Sequence, residues 1–134
     1  MGQTRKKRHS NFDKEVTLVF FEMLLMVKLF HWKTHSFARH KATDELYESL
    51  NEHMDKFIEV LLGKTGSRIQ MGSTKSVKLV DLDSPTKLKA KAESFKRYLS
   101  SMSISDAGAS SDLLNIRDEI LADMNKFTYL LTLK

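Results

Sequence analysis

With 134 residues, 41% hydrophobic and 29% charged, the chain has the size of one domain and the balance of a folded globular protein rather than a disordered one. It contains no cysteine, which excludes a disulfide framework and a thiolate zinc site and leaves His, Asp and Glu to hold any metal. Its net charge is +5, and Arg5, Lys6, Lys7 and Arg8 supply four units of it with no acid in the first ten residues, so the remainder is close to neutral.

Residues 1–11 are therefore expected to form a flexible basic N-terminal arm, and residues 12–134 the folded unit. Such an arm suits the phosphate backbone of DNA, because each neutralised phosphate releases a condensed counterion. It suits a solubility tail or a sorting signal equally well. The longest apolar stretch, Val16 to Phe30, is interrupted by Glu22 and Lys28 and falls short of the roughly 20 residues of a membrane span. It reads as a buried helix with no membrane partner. No apolar segment with a small-residue cleavage site follows the basic run, and an intracellular protein, in the cytoplasm or a nucleoid-like compartment, is expected.

Ser10 or Asn11 is suited to cap a first helix from about Asp13 to His35, with Asp13 and Glu15 in its first turn. Its apolar residues occupy nearly every face, which asks for cover on several sides, as in a bundle whose subunits also pack together. Ser36 to Lys41 reads as a connection. A second helix, from Ala42 to about Leu62, follows the spacing of Leu46, Leu50, Met54, Phe57, Ile58 and Leu61, and Gly63 and Gly66 stop it. Lys64 to Asp83, rich in Gly, Ser, Thr and Lys, reads as a long crossover with room for a short helix. Ser84-Pro85 opens a third helix to about Met102, its Lys87, Lys89, Lys91, Lys96 and Arg97 facing solvent. After a polar break from Ser103 to Ser110 that holds Gly108, Ser111 or Asp112 begins a fourth helix through Leu113, Leu114, Ile116, Ile120, Leu121, Met124 and Phe127. The expected fold class is all-α, a ferritin-like four-helix bundle with a long crossover between helices two and three.

Five residues form a candidate metal-ligand set: His31 late on helix one, His40 and Asp44 at the start of helix two, and Asp55 with Glu59 farther along it. At about 100° per residue His40, Asp44, Asp55 and Glu59 fall within an arc of about 100°, one stripe of the helix. Along the axis, however, His40 lies about 22 Å from Asp55 at 1.5 Å per residue. Ligands must sit about 2 Å from an ion, so both pairs reach one ion only if two copies of helix two run antiparallel across a twofold axis. His40 and Asp44 of one chain would then face Asp55 and Glu59 of its neighbour, and His31 would complete the site. Mixed nitrogen and oxygen ligands suit iron, manganese or zinc. Taken singly, His31 beside Trp32 reads as a satisfied core histidine, and Asp55 and Glu59 as a solvated face. His35, four residues after His31, offers a one-helix metal pair, but the helix is ending there and no acid completes it. His53 lies about 140° from the stripe and is assigned to surface or interface packing; His9 belongs to the arm.

His31-Trp32, His40-x-x-x-Asp44 and Asp55-x-x-x-Glu59 resemble the ferroxidase motif of the Dps-like miniferritins. In that family the corresponding His, His and Asp come from one subunit and the Asp and Glu from its twofold mate. The resemblance covers residues 15–62 and extends weakly over 112–134, where Asp112-Leu113-Leu114 and Asp123-Met124-Asn125-Lys126-Phe127 look like the family's last helix. The chain is most similar to uncharacterised Dps-like domains of large DNA viruses. The connection from His31 to His40 is shorter than the family's usual spacing, and the Glu-x-x-His pairs of ferritins with intrasubunit di-iron sites are absent. The resemblance implies oxidation of Fe(II) by peroxide or dioxygen, ferric storage inside a hollow dodecamer and protection of DNA from oxidative stress. It also implies a virion location if the source is viral, and acidic entry pores, for which Asp112 is the candidate, with Ser111 and Asn115 beside it where relatives carry acids. A non-enzymatic structural or nucleic-acid-packaging bundle, with at most a structural zinc locking the dimer, is the competing expectation.

Overall fold

The computed structural model describes residues 2–104 and 110–134, with side chains from residue 11 onward. The side chains of Arg5, Lys6, Lys7, Arg8 and His9, and the Gly108 break, lie outside the described residues. Four helices account for the secondary structure: α1 (Gly2–Lys33), α2 (Phe37–Thr65), α3 (Pro85–Ser100) and α4 (Ser111–Leu130), with no strand among the described residues.

Their ends follow local chemistry. α1 begins upstream of the Ser10 or Asn11 cap, because the Gln, Lys and Arg residues before it are good helix formers. Asp13 is consequently an interior residue, 1% exposed, and Thr17 Oγ1 donates to its carbonyl at 2.7 Å. α2 starts five residues earlier than its apolar spacing indicates, since Ser36, in extended backbone, accepts from the Arg39 N–H at 3.2 Å. The α1–α2 turn is thus only residues 34–36. Gly63 stays inside α2, and Gly66 ends it at φ 67°, its N–H bonded to Leu62 O at 2.9 Å. Ser84 caps α3, accepting from Lys87 N at 3.2 Å with Pro85 first in the helix. The crossover between α2 and α3 contains no helix.

Each helix buries one stripe: Val16, Phe20, Met23, Val27 and Phe30 from α1; Leu46, Leu50, Met54, Phe57 and Leu61 from α2; Leu88, Ala92, Phe95 and Leu99 from α3; Leu113, Ile116, Ile120, Met124 and Phe127 from α4. Each large apolar side chain so buried stabilises the fold by about 1.5 to 3 kcal/mol. Phe20 meets Phe57 edge-on with centroids 5.5 Å apart.

α1 packs on α2, α2 on α4 and α4 on α3; Lys91 of α3 returns to Glu22 of α1 at 3.0 Å across a cleft of about 420 Å³ lined by Val19, Met23, Phe95 and Tyr98. Burial in this cleft pushes the Tyr98 hydroxyl above its ordinary range. The contacts His53–Glu119 and Lys64–Asp112, both 3.2 Å, make α2 and α4 antiparallel. Asp81, just before α3, pairs with Lys33 at the end of α1 at 2.7 Å. The crossover therefore carries the chain back along the bundle, and Ile69 drops into the α1–α2 groove on the way. Lys87, Lys89 and Arg97 face solvent, whereas Lys91 and Lys96 are half-buried, Lys96 bonding Thr128 at 2.7 Å.

Candidate metal centre

The three-residue turn folds His40 back onto His31. The two imidazoles stack with centroids 3.9 Å apart and planes 18° from parallel. His31 Nδ1 donates to His40 O at 2.9 Å, and His40 Nδ1 donates to His31 O at 3.1 Å. A carbonyl oxygen only accepts, so the geometry puts a proton on Nδ1 of each ring and leaves Nε2 as the nitrogen able to ligate. Neither Nε2 has a hydrogen-bond partner among the described residues. His31 is 8% exposed, and its Nδ1 also lies 3.1 Å from Oγ1 of Thr43, a fully buried hydroxyl that donates to Arg39 O at 2.7 Å. Thr43 is a residue that sequence reasoning passed over; a Thr three positions after the second histidine was its only signal. This pattern, imidazoles held through Nδ1 by backbone and hydroxyl oxygens, is the arrangement that orients metal-ligating histidines.

Asp44, Asp55 and Glu59 lie exposed along α2. Within one chain no three His, Asp or Glu side chains converge to hold an ion among the described residues, in keeping with the 15 positions that separate His40 from Asp55. His35 falls beyond the end of α1 and is exposed, so it forms no helical pair with His31. Exposed apolar side chains crowd the same hairpin: Phe21 and Leu25 on α1, Trp32 (70% exposed) and Phe37 (75% exposed) at the turn. The Lys28 ammonium sits 5.5 Å from the Trp32 ring and 4.6 Å from Tyr47.

Two other residues singled out in the sequence sit in ion pairs between α2 and α4. His53, assigned to surface or interface packing, packs between α2 and α4: its Nδ1 lies 2.5 Å from Asp123 and its Nε2 3.2 Å from Glu119, with Lys56 3.7 Å from Glu119. Glu119 and Asp123, one turn apart on α4, were the available hint. Burial works against the Asp123 charge, and its carboxyl is raised above the ordinary value although the His53 bond opposes the shift. Asp112, the pore candidate, pairs with Lys64. Partial burial works to raise its carboxyl, but the Lys64 hydrogen bond and the Leu113 N–H outweigh it and hold the group below the ordinary value.

The helices and these contacts define an all-α, four-helix protein with a histidine pair at one end and a carboxylate stripe on one helix. Residues 31–131, about three quarters of the chain, match a family of unknown function, DUF5856, and the chain belongs to it. The matched region begins at His31 and includes all five candidate ligands. No curated protein and no solved structure matches the chain.

Proposed function

We propose that the protein is a ferritin-like ferroxidase of the Dps-like kind, taking Fe(II) as substrate at sites shared between twofold-related copies and storing the ferric product in a hollow oligomer. The observation that carries this reading is the locked histidine pair, which offers two bare Nε2 ligands on stacked rings. His31, His40 and Asp44 would come from one copy, and Asp55 and Glu59 from the other.

One antiparallel register of α2 against α2 places His40 opposite Glu59 and Asp44 opposite Asp55. In that register Phe37 falls opposite Leu62, which would cover its exposed ring. In the same register Glu59 falls opposite the stretch from Arg39 to Lys41 of the other copy, whereas the acids from Asp44 to Asp55 fall opposite one another. Two carboxylates facing each other at Asp44 and Asp55 repel unless a cation lies between them, and the mixed donor set fits iron. Oxidation by peroxide takes one electron from each of two ferrous ions and two protons from solvent, leaving two waters. The chain's own residues bind and orient the ions and supply negative charge that favours the ferric product. The long return of the chain between α2 and α3 and the ring of helix contacts agree with the ferritin-like layout.

The test is Asp55→Ala. Because Asp55 is exposed in the single chain, the variant should fold and keep its oligomeric state by sedimentation, while Fe(II) oxidation with stoichiometric peroxide falls to the rate of iron in buffer. Oxidation at the parent rate would overturn the assignment. Oligomers with no oxidation in the parent protein would mark a structural bundle instead.

A further inference from the structure

Asp44, Glu48, Glu52, Asp55 and Glu59 of α2 are all exposed, and none has an ion pair among the described residues. At about 100° per residue they share an arc of about 80°, and from first to last they span about 22 Å of the helix. Glu45, the remaining acid of α2, is held by Lys126 of α4, and Lys56 turns to Glu119 of α4. Lys41 is the cation left on this stripe.

The ridge borders on apolar surface. Phe21, Leu25, Trp32 and Phe37 are exposed on the same hairpin, and a groove of about 520 Å³ between α1 and α2, lined by Phe21, Leu24, Met54 and Ile58, opens at Asp55. His31, nine-tenths buried, keeps an Nε2 without a partner among the described residues. Apolar cover thus favours a second copy here, while the charge opposes one.

The inference rests on the shared site proposed above. In the register that sets His40 opposite Glu59, Asp44 of each copy meets Asp55 of the other, and Glu52 falls opposite Tyr47, one position from Glu48. Contacting helix axes lie about 8 to 10 Å apart, so each copy brings these five carboxylates against one ammonium, Lys41. Like charges so placed oppose association. A divalent cation offsets two of the three acids that meet at each site, Asp44, Asp55 and Glu59.

We propose that pairing of copies is gated by divalent cation. Without it the chain stays single; a cation held by His31, His40 and Asp44 of one copy and Asp55 and Glu59 of the other closes the pair. Cation binding and pairing then strengthen each other, and the ferrous ion assembles the site that oxidises it.

The test is sedimentation velocity of the full chain in EDTA and with stoichiometric Zn(II), whose oxidation state does not change. Single copies are expected in EDTA, and pairs or larger oligomers with Zn(II). Added salt in EDTA should promote association, because it screens like charges. Glu48→Gln combined with Glu52→Gln, exposed and outside the ligand set, should strengthen metal-free pairing by about tenfold or more. Asp55→Ala, which loses a facing charge together with a ligand, should pair alike in EDTA and Zn(II). His40→Gln, at an exposed position, keeps every carboxylate but loses a ligand, and should stay single with Zn(II). A parent equally paired in EDTA and Zn(II) overturns the gate and leaves the shared ferroxidase site standing, whereas a parent single in both overturns the shared site as well. Pairing by Zn(II) that persists in His40→Gln, or metal-free pairing unchanged in the double Gln variant, puts the contact elsewhere and overturns the proposal.

Discussion

Thr43→Val removes one oxygen from the support of the histidine pair while keeping shape and volume. The Thr43 hydroxyl donates to Arg39 O at 2.7 Å, lies 3.1 Å from His40 O and shares the His31 Nδ1 proton at 3.1 Å. The carbonyls keep their helical partners, so the loss is one to two net hydrogen bonds at about 1 kcal/mol each. For a chain of this length that lowers the melting temperature by about 3 to 10 °C. Loss of a group that orients a ligating imidazole weakens metal binding by about 10- to 100-fold. Calorimetric titration with Zn(II), which does not change oxidation state, reads the affinity, and thermal circular dichroism reads the stability. Thr43→Ser, which restores the oxygen, should recover the affinity. A Val variant that melts earlier yet binds Zn(II) as tightly as the parent would refute a positioning role and leave Thr43 as a packing residue.

Gly66→Ala should destabilise the protein by about 1 to 2 kcal/mol in urea unfolding; φ is 67° and nothing crowds an added Cβ, so the cost is that of left-handed backbone, and an unchanged midpoint would show that the cap relaxes. Asp123 carries a pH signature. Its raised carboxyl contributes fully below the ordinary value of 3.8 and loses that contribution as pH rises through the higher folded value. Asp123→Asn, which cannot ionise, should therefore lack this component in urea titrations between about pH 3 and 7, and identical pH profiles would dismiss the effect.

The helical stripes were legible because apolar residues every three or four positions bury on any bundle, and Ser84-Pro85 marked the start of α3 directly. The start of α2 was harder, since Ser36 lies in a segment too polar for periodicity and its cap depends on backbone that leaves α1 at Lys33. The spacing of His40, Asp44, Asp55 and Glu59 along one stripe is a local property and could be read. The stacking of His31 on His40 is not, because it depends on a three-residue turn and on two carbonyls aimed by it. Contacts such as His53 with Asp123, 70 residues apart, leave only a pair of acids one turn apart as a trace.

The return of the chain between α2 and α3 bears on how the molecule tolerates change. α1 with α2, and α3 with α4, are neighbours in sequence and can each close on themselves early, so the linking segment has only to let two hairpins dock. The entropy of closing such a loop grows slowly, by about 0.6 kcal/mol for a doubling of its length. Apart from Ile69, Val80 and Leu82, which pack inward, and Asp81, which pairs with Lys33, the segment can be lengthened or recharged at little expense to the bundle. Mutational drift should accumulate there first, with the electrostatic character of the crossover changing independently of the core.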